Sequence, residues 1–459
     1  MPSDFVNRER ELESLDRAWE TPGAALILVW GRRRAGKTRL LGEWLQGKRA
    51  VFYGATEQAA RAELGGLSEA TRRALSPSGA DLLANTDFPD WDRALSYLAG
   101  RAARERLAVV LDEFPFLADS EPALPSIIQR FWDHQGSRSK LKLILCGSAR
   151  AVMEGLQVEE APLFGRVDLR LQLSPFGYRE AALFTPSLSP TEKAIAYGVL
   201  GGMPVYLDRW DQRVGHRANL RRLFGDPASP LVEEGEFVLS SELPEGAGYF
   251  RILHAIAAGH RTYGKIKQFA DIDIERQLDR LTALGLVERV VPITEDPTRT
   301  KRAVYRIADN FLNFWFRFIY RNRADIARGM GIQVVDRAIL PNLSDHMGDT
   351  WEAMCRDYLR SEAGAGDLPV EVSAIGRWWN THSSIEIDAV GVRGQKVALA
   401  GSAKWSRTVG KRELLALQRQ LEAVPDRDTE VMLALFARER VEEAPRSGLL
   451  MATASDLYR

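Results

Sequence analysis

The run Gly31-Arg32-Arg33-Arg34-Ala35-Gly36-Lys37-Thr38 has the residue types and spacing of a phosphate cradle. Its glycines let backbone N–H groups wrap around anionic oxygens. A helix opening at this point turns its positive end toward the same oxygens. Lys37 then reaches the outer phosphates of a nucleoside triphosphate, the Thr38 hydroxyl ligates Mg²⁺, and Arg39 extends the contact. Such a site also needs a carboxylate at the end of another strand. Leu107-Ala108-Val109-Val110-Leu111-Asp112-Glu113 offers two: Asp112 to hold the metal, directly or through water, and Glu113 to polarise the attacking water. A further strand, Leu141–Cys146, leads into Gly147-Ser148-Ala149-Arg150. Ser148 reads either as a sensor of the γ-phosphate and attacking water or as a helix N-cap. Arg166, in Pro162-Leu163-Phe164-Gly165-Arg166, and Arg150 compete as the cation for transition-state charge, and each also reads as a surface arginine. Spacing does not say whether either acts on its own chain or on a neighbour.

These side chains work together only if strands bring them to one edge of a sheet. A charged amphipathic stretch, Arg8–Trp19, leads through Thr21-Pro22-Gly23 into the apolar run Ala24–Trp30. The glycine-bounded turn, a helical pattern from Thr38 to Leu45 and the strand-like AVFYGA then give a β-loop-α-β order, the start of a parallel sheet. Ser76–Asp90 reads as a loop, and Pro190–Leu223 as mainly helical. The acidic stretch from Glu233 to Gly246 reads as a hinge or linker. Residues 249–308 read as three helices and two β runs, Leu286–Ile293 and Ala303–Ile307, the order of a winged helix-turn-helix. The last third is mixed α/β: a helix around Asp349–Leu359, strands near Glu371–Ile375, Ser384–Val390 and Val397–Gly401, and a helix over Lys411–Glu422.

The chain has 459 residues, which suggests about three domains. With 45% hydrophobic and 27% charged residues, fibrous and largely disordered classes are excluded. A net charge of zero excludes a uniformly basic nucleic-acid binder, but the total conceals contrast. Residues 231–250 hold five acidic and no basic side chains, whereas 251–330 hold 15 basic and 9 acidic. The third helix of that basic segment, expected over Asp273–Leu284, is a poor groove reader, since 271–280 carry two basic and four acidic residues. Arg261, Lys265, Lys267, Arg299, Lys301 and Arg302 are the candidate contacts to a double-stranded DNA backbone, through the second helix and the wing. A module for packing or protein contact is the alternative. The aromatic run Phe311, Phe314, Trp315, Phe316, Phe318 reads as a buried helix rather than a base-stacking platform. Two cysteines, Cys146 and Cys355, exclude a disulfide framework and a cysteine zinc site. No leader-like or membrane-length apolar segment is visible, so a cytoplasmic chain without a membrane partner is expected.

A resemblance sharpens this reading. Phe5-Val6-Asn7-Arg8-Glu9-Arg10-Glu11-Leu12 resembles the F-x-x-R-E-x-E-L motif of AAA+ and STAND ATPases, which in those families packs near adenine and so implicates Val6 and Arg8. With GRRRAGKT, VVLDEFPFL, CGSAR, PLFGR and Leu200-Gly201-Gly202-Met203-Pro204-Val205-Tyr206-Leu207, the pattern is similar to the archaeal-type ATPase family of the STAND group. There the GG-x-P turn, with Pro204, leads into a helical lid and then a winged helix. Tyr305–Phe316 resembles the junction these proteins carry before a restriction-endonuclease-like domain. The resemblance implies an α/β chain: a P-loop core at 1–180, a helical lid at 181–235, a winged helix at 236–325 and an endonuclease-like domain at 326–459. It also implies ATP and ADP as ligands and Mg²⁺ as cofactor, and a nucleotide-dependent oligomer is what an arginine finger acting in trans would require.

That last domain departs from the nuclease pattern. Such nucleases cluster acids around Mg²⁺ and use a lysine to orient or activate water. Glu352, Asp388 and Lys404 fit the helix glutamate, strand aspartate and lysine, but Ser402 stands where an acid belongs. A neutral hydroxyl is a weak Mg²⁺ ligand, unless Glu386 or Glu352 compensates. The expected function is an ATP-binding, ATP-hydrolysing switch with a degenerate C-terminal domain that binds nucleic acid or protein. The alternatives are an ATP-regulated metal-dependent nuclease and an ATP-bound adaptor or transcription regulator with negligible turnover.

Overall fold

The computed structural model describes residues 5–75, 86–148, 150–243 and 247–459. The chain divides into two compact units, Met1–Pro175 with Met203–Val205, and Phe176–Gly202 with Tyr206–Arg459.

The first unit is an α/β layer structure. Its strands are β1 (Ala25–Gly31), β2 (Ala50–Gly54), β3 (Leu107–Asp112), β4 (Leu141–Gly147) and β5 (Leu169–Leu173). They pair in the order β2-β3-β4-β1-β5, every pair parallel. β1, β3 and β4 are buried along their whole length, which is why they are apolar runs rather than alternating ones, apart from Asp112 at the end of β3 and Lys142 in β4, whose Nζ donates to the Thr21 carbonyl at 2.8 Å. Leu26, Leu28, Val109 and Leu143 form the core with Leu95, Phe114 and Ile128 from flanking helices. The order sets β4 between β1 and β3, so the carboxyl ends of all three share one edge, where ligands of open α/β sheets bind. Of the expected loop Ser76–Asp90, residues 76–85 lie outside the described residues, and Asp90 caps the helix Trp91–Arg101.

In the second unit the acidic stretch is not a linker. It forms the helix Pro230–Glu242, while 244–246 lie outside the described residues. Leu231, Val232, Val238 and Leu239 are buried, and Glu234 is buried with them because the Tyr206 hydroxyl donates to it at 2.8 Å. Gly235 lets the helix meet Trp315: a β-carbon there would lie 2.3 Å from the indole ring. An acid with a buried hydroxyl partner thus sits on the inward face, a pairing that composition conceals.

Helices Ala247–Ala257, Tyr263–Ala270 and Glu275–Ala283 follow, then β6 (Val287–Val290) antiparallel to β7 (Val304–Ile307). The third helix is shorter than expected. Asp309 caps the next helix by accepting from Leu312 N–H at 2.8 Å. Phe311, Phe314, Trp315, Phe316 and Phe318 are buried, so the aromatic run is core. The helix Leu343–Ala365 then runs beside a mixed sheet of order β14-β12-β10-β9-β8. Its strands are β8 (Ala374–Trp379), β9 (Glu386–Arg393), β10 (Lys396–Ala403), β12 (Arg427–Ala437) and β14 (Leu449–Thr453), and β11 (Thr408–Gly410) pairs with β13 (Arg440–Glu442) outside it. The helix Lys411–Glu422 falls where expected, β8 lies later than Glu371–Ile375, and β11 to β14 were not anticipated. Among the described residues no helix is long and apolar enough to cross a membrane.

Candidate functional site

At the shared edge of the first unit's sheet, the loop after β1 carries Gly36 and Arg34 in the left-handed region, at φ 91° and 71°. Gly31 is required for a different reason: a β-carbon on it would lie 2.3 Å from the Leu173 carbonyl oxygen. Lys37 is buried, and its Nζ donates to the carbonyls of Gly31 at 2.9 Å and Arg32 at 3.2 Å. The Thr38 hydroxyl donates to Asp112 Oδ2 at 2.7 Å, although 74 positions separate them in sequence. Asp112 is buried, and its Oδ1 accepts from Glu113 N–H at 3.0 Å. A hydroxyl and a carboxylate at one point make a hard-oxygen pair that fits Mg²⁺.

Glu113 follows β3 with left-handed backbone, φ 52° and ψ 45°, and opens the helix Phe114–Ser120. Its Oε2 accepts from the Ser148 hydroxyl at 2.9 Å and the Ser148 N–H at 3.3 Å. Gly147 makes this approach feasible, since a β-carbon there would lie 2.5 Å from Pro115 Cδ. Sequence reasoning passed over Gly147, whose signal was a glycine closing a buried strand directly before a polar residue. Arg8 is buried with φ 79°; it pairs with Glu11 at 2.7 Å and donates to the carbonyls of Ser174 at 2.7 Å and Ala35 at 3.4 Å. It therefore fastens the first helix to the phosphate loop, with Val6 half-buried just before it. Pro204 closes against the same loop, its Cγ 3.7 Å from where a Gly36 β-carbon would be. Of the remaining loop residues, Ala35 is buried, Arg32 half-buried, and Arg33 and Arg39 exposed.

Arg166 is engaged elsewhere. Its guanidinium grips Asp133 through two hydrogen bonds of 2.8 and 2.9 Å, and this holds the Asp133 carboxyl below its usual range. The Arg150 side chain lies outside the described residues.

The C-terminal constellation does gather, with partners the sequence reading missed. Asp388 Oδ2 accepts from Lys404 Nζ at 2.8 Å and Ala403 N–H at 2.9 Å. Ser402 is buried beside them in β10. Glu352 lies 3.0 Å from Arg377 and 3.8 Å from Arg356, which donates to the Asp388 carbonyl at 2.6 Å. Burial, opposed by Arg377 and reinforced by Asp388, pushes the Glu352 carboxyl up to about 7. Burial also works against the Asp349 carboxylate, but Arg261 and then Arg377 hold it below its usual range. The available signal was helical spacing, since Asp349, Glu352 and Arg356 share one face of a helix. Nothing in the sequence pointed to Arg377.

The six DNA-contact candidates divide. Arg261 pairs with Asp349, and Arg302 pairs with Glu295 and donates to the Trp379 carbonyl, so both are turned inward. Lys267 pairs with Asp273 at 3.2 Å and Arg299 with Asp296 at 3.5 Å, both at the surface. Lys265 and Lys301 are exposed.

Residues 5–209 match the profile of an ATPase domain predominantly from Archaea. Residues 315–416 match that of archaeal and bacterial proteins of unknown function. An uncharacterized protein of Methanocaldococcus jannaschii is 29% identical over 428 residues, 91% of either chain. An uncharacterized ATP-binding protein of the same organism is 51% identical over 45 residues, 10% of this chain and 76% of its own. A Walker-type ATPase of Pyrococcus abyssi shares the fold at a TM-score of 0.51 and 20% identity, over 68% of this chain and 96% of that one.

Proposed function

We propose that this chain, built on an archaeal-type ATPase domain in residues 5–209, is an ATP-hydrolysing switch whose nucleotide state acts on a winged helix and a C-terminal effector domain. The observation that carries the reading is the meeting of Thr38 with Asp112 and of Ser148 with Glu113 at one sheet edge. In this reading Lys37 exchanges neutral loop carbonyls for the charged outer phosphates of ATP. Thr38 and Asp112 hold Mg²⁺, which neutralises phosphate charge when bound. Glu113 takes the proton of the attacking water as the new P–O bond forms and the bond to ADP breaks, while Ser148 orients Glu113.

The state is read through Pro204 beside Gly36 and through the Gly201-Gly202 turn. Arg166 serves as an arginine finger only on leaving Asp133, which a neighbouring subunit's nucleotide would favour. Three helices with an antiparallel ribbon support the winged-helix assignment, and Lys265, Lys267, Arg299 and Lys301 are its candidate contacts to a DNA backbone. Ser402 in place of an acid supports an effector rather than a nuclease.

Lys37→Ala tests the core claim. It is expected to abolish ATP binding and turnover, and unchanged affinity and turnover would overturn the site assignment. For DNA, the test is affinity against salt concentration, where a slope near zero removes the partner.

A further inference from the structure

We propose that Arg377 stands in the place of a divalent cation in the C-terminal domain, so that its carboxylate cluster is complete without metal. The Arg377 guanidinium bridges three acids: Glu352 at 3.0 Å, Asp349 at 3.8 Å and Glu386 at 3.8 Å. Its side chain is 13% exposed and that of Glu352 15%, so the shortest of these contacts operates where solvent screens little. Asp388, the remaining acid, is held by Lys404 and the Ala403 N–H. Arg261 neutralises Asp349, and Arg356 lies 3.8 Å from Glu352.

Four carboxylates thus meet four cationic side chains. A Mg²⁺ or Mn²⁺ site needs surplus negative charge and oxygen atoms converging on one empty point. Here the cations leave no negative surplus, since Glu352 is itself part-protonated near neutral pH, and the Arg377 guanidinium lies between the acids. Among the described residues, no three His, Cys, Asp or Glu side chains converge as a metal-holding group. Ser402 fits the same logic: an added carboxylate at that buried position would unbalance the cluster.

The cluster also has a mechanical role. Arg261 precedes the helix Tyr263–Ala270 of the three-helix module, whereas Asp349 belongs to the helix Leu343–Ala365. Arg302 extends the join from the ribbon to the Trp379 carbonyl of β8, and the Ile293 N–H donates to the Arg377 carbonyl at 2.8 Å. The residues of a would-be metal site therefore fasten the helical module to the C-terminal sheet.

The test is Mn²⁺ uptake by the full-length, nucleotide-free protein, followed through the electron paramagnetic resonance signal of free Mn²⁺. Wild type, Glu352→Gln and Asp388→Asn are expected to give the same isotherm. Arg377→Ala is expected to gain one equivalent of bound Mn²⁺, which the added Glu352→Gln removes. Arg377→Lys keeps the charge and gains none. Wild-type uptake that Glu352→Gln abolishes would overturn the proposal, as would an Arg377→Ala protein that gains no site. Should Arg377→Ala fail to fold, the comparison of wild type with Glu352→Gln still decides. The inference uses no nucleotide, so loss of the ATPase reading through Lys37→Ala leaves it standing. Mn²⁺-dependent DNA cleavage that needs Asp388 would overturn it and the effector assignment together.

Discussion

The Ser148 hydroxyl donates to the Glu113 carboxylate at 2.9 Å, joining the ends of two neighbouring parallel strands. If Glu113 is the base, Glu113→Gln lowers ATP turnover by about 10²-fold or more and leaves ATP binding intact. Ser148→Ala lowers kcat about tenfold without changing affinity, because it frees the carboxylate to swing rather than removing it. Phosphate-release kinetics beside equilibrium nucleotide binding separate the two variants.

Thr38 and Asp112 make a different demand. Asp112→Asn keeps the shape and removes the charge. The Mg²⁺ concentration for half-maximal turnover should rise by about 10–100-fold, the usual scale for a disturbed metal environment. A Mg²⁺ titration at saturating ATP measures this, and an unchanged midpoint would remove Asp112 from the metal.

Packing around the helix Pro230–Glu242 gives a stability prediction. Gly235→Ala forces a β-carbon to within 2.3 Å of Trp315, and overpacking of this kind costs about 1–3 kcal/mol. Tyr206→Phe removes the hydroxyl that satisfies buried Glu234 and costs about 1–3 kcal/mol. Denaturant unfolding of the full chain reads both losses, with ATP binding by the first unit as the control.

Glu352 predicts a pH dependence. Its carboxyl, raised by burial from 4.5 to about 7, keeps a proton in the folded protein that the unfolded chain releases. Its contribution is therefore fully present below about pH 4.5 and lost as pH rises toward 7. Glu352→Gln removes that slope, so the variant gains on wild type by about 1–3 kcal/mol across the window. Unfolding measured at several pH values checks it. A wild-type to variant difference that does not change with pH would place the Glu352 carboxyl in the ordinary range.

The cluster at the first unit's sheet edge was legible because its parts are local and chemically extreme. A glycine-lysine loop after β1 and two acids at the end of β3 announce themselves without any tertiary knowledge. Fold followed for the same reason, since strands buried on both faces are written as apolar runs. The Pro230–Glu242 helix escaped because three glutamates in four residues look solvated, and the Tyr206 hydroxyl that meets buried Glu234 is distant in sequence. Arg377 escaped because an arginine between a glycine and two tryptophans has no signature. Its role exists only where the Leu343–Ala365 helix and β9 bring three acids to it. Arg166 was legible as a cation but not as the partner of Asp133, 33 positions earlier.

Glu113 holds a left-handed backbone that side-chain-bearing residues adopt only at a cost of about 1–2 kcal/mol. Asn7, Arg8 and Arg34 share that conformation around the same loop, so four of the six described non-glycine residues with positive φ belong to this one site. If Glu113 is the base, Glu113→Gly should yield a protein that withstands more heat yet hydrolyses ATP far more slowly, so selection for thermal endurance alone would act against turnover first.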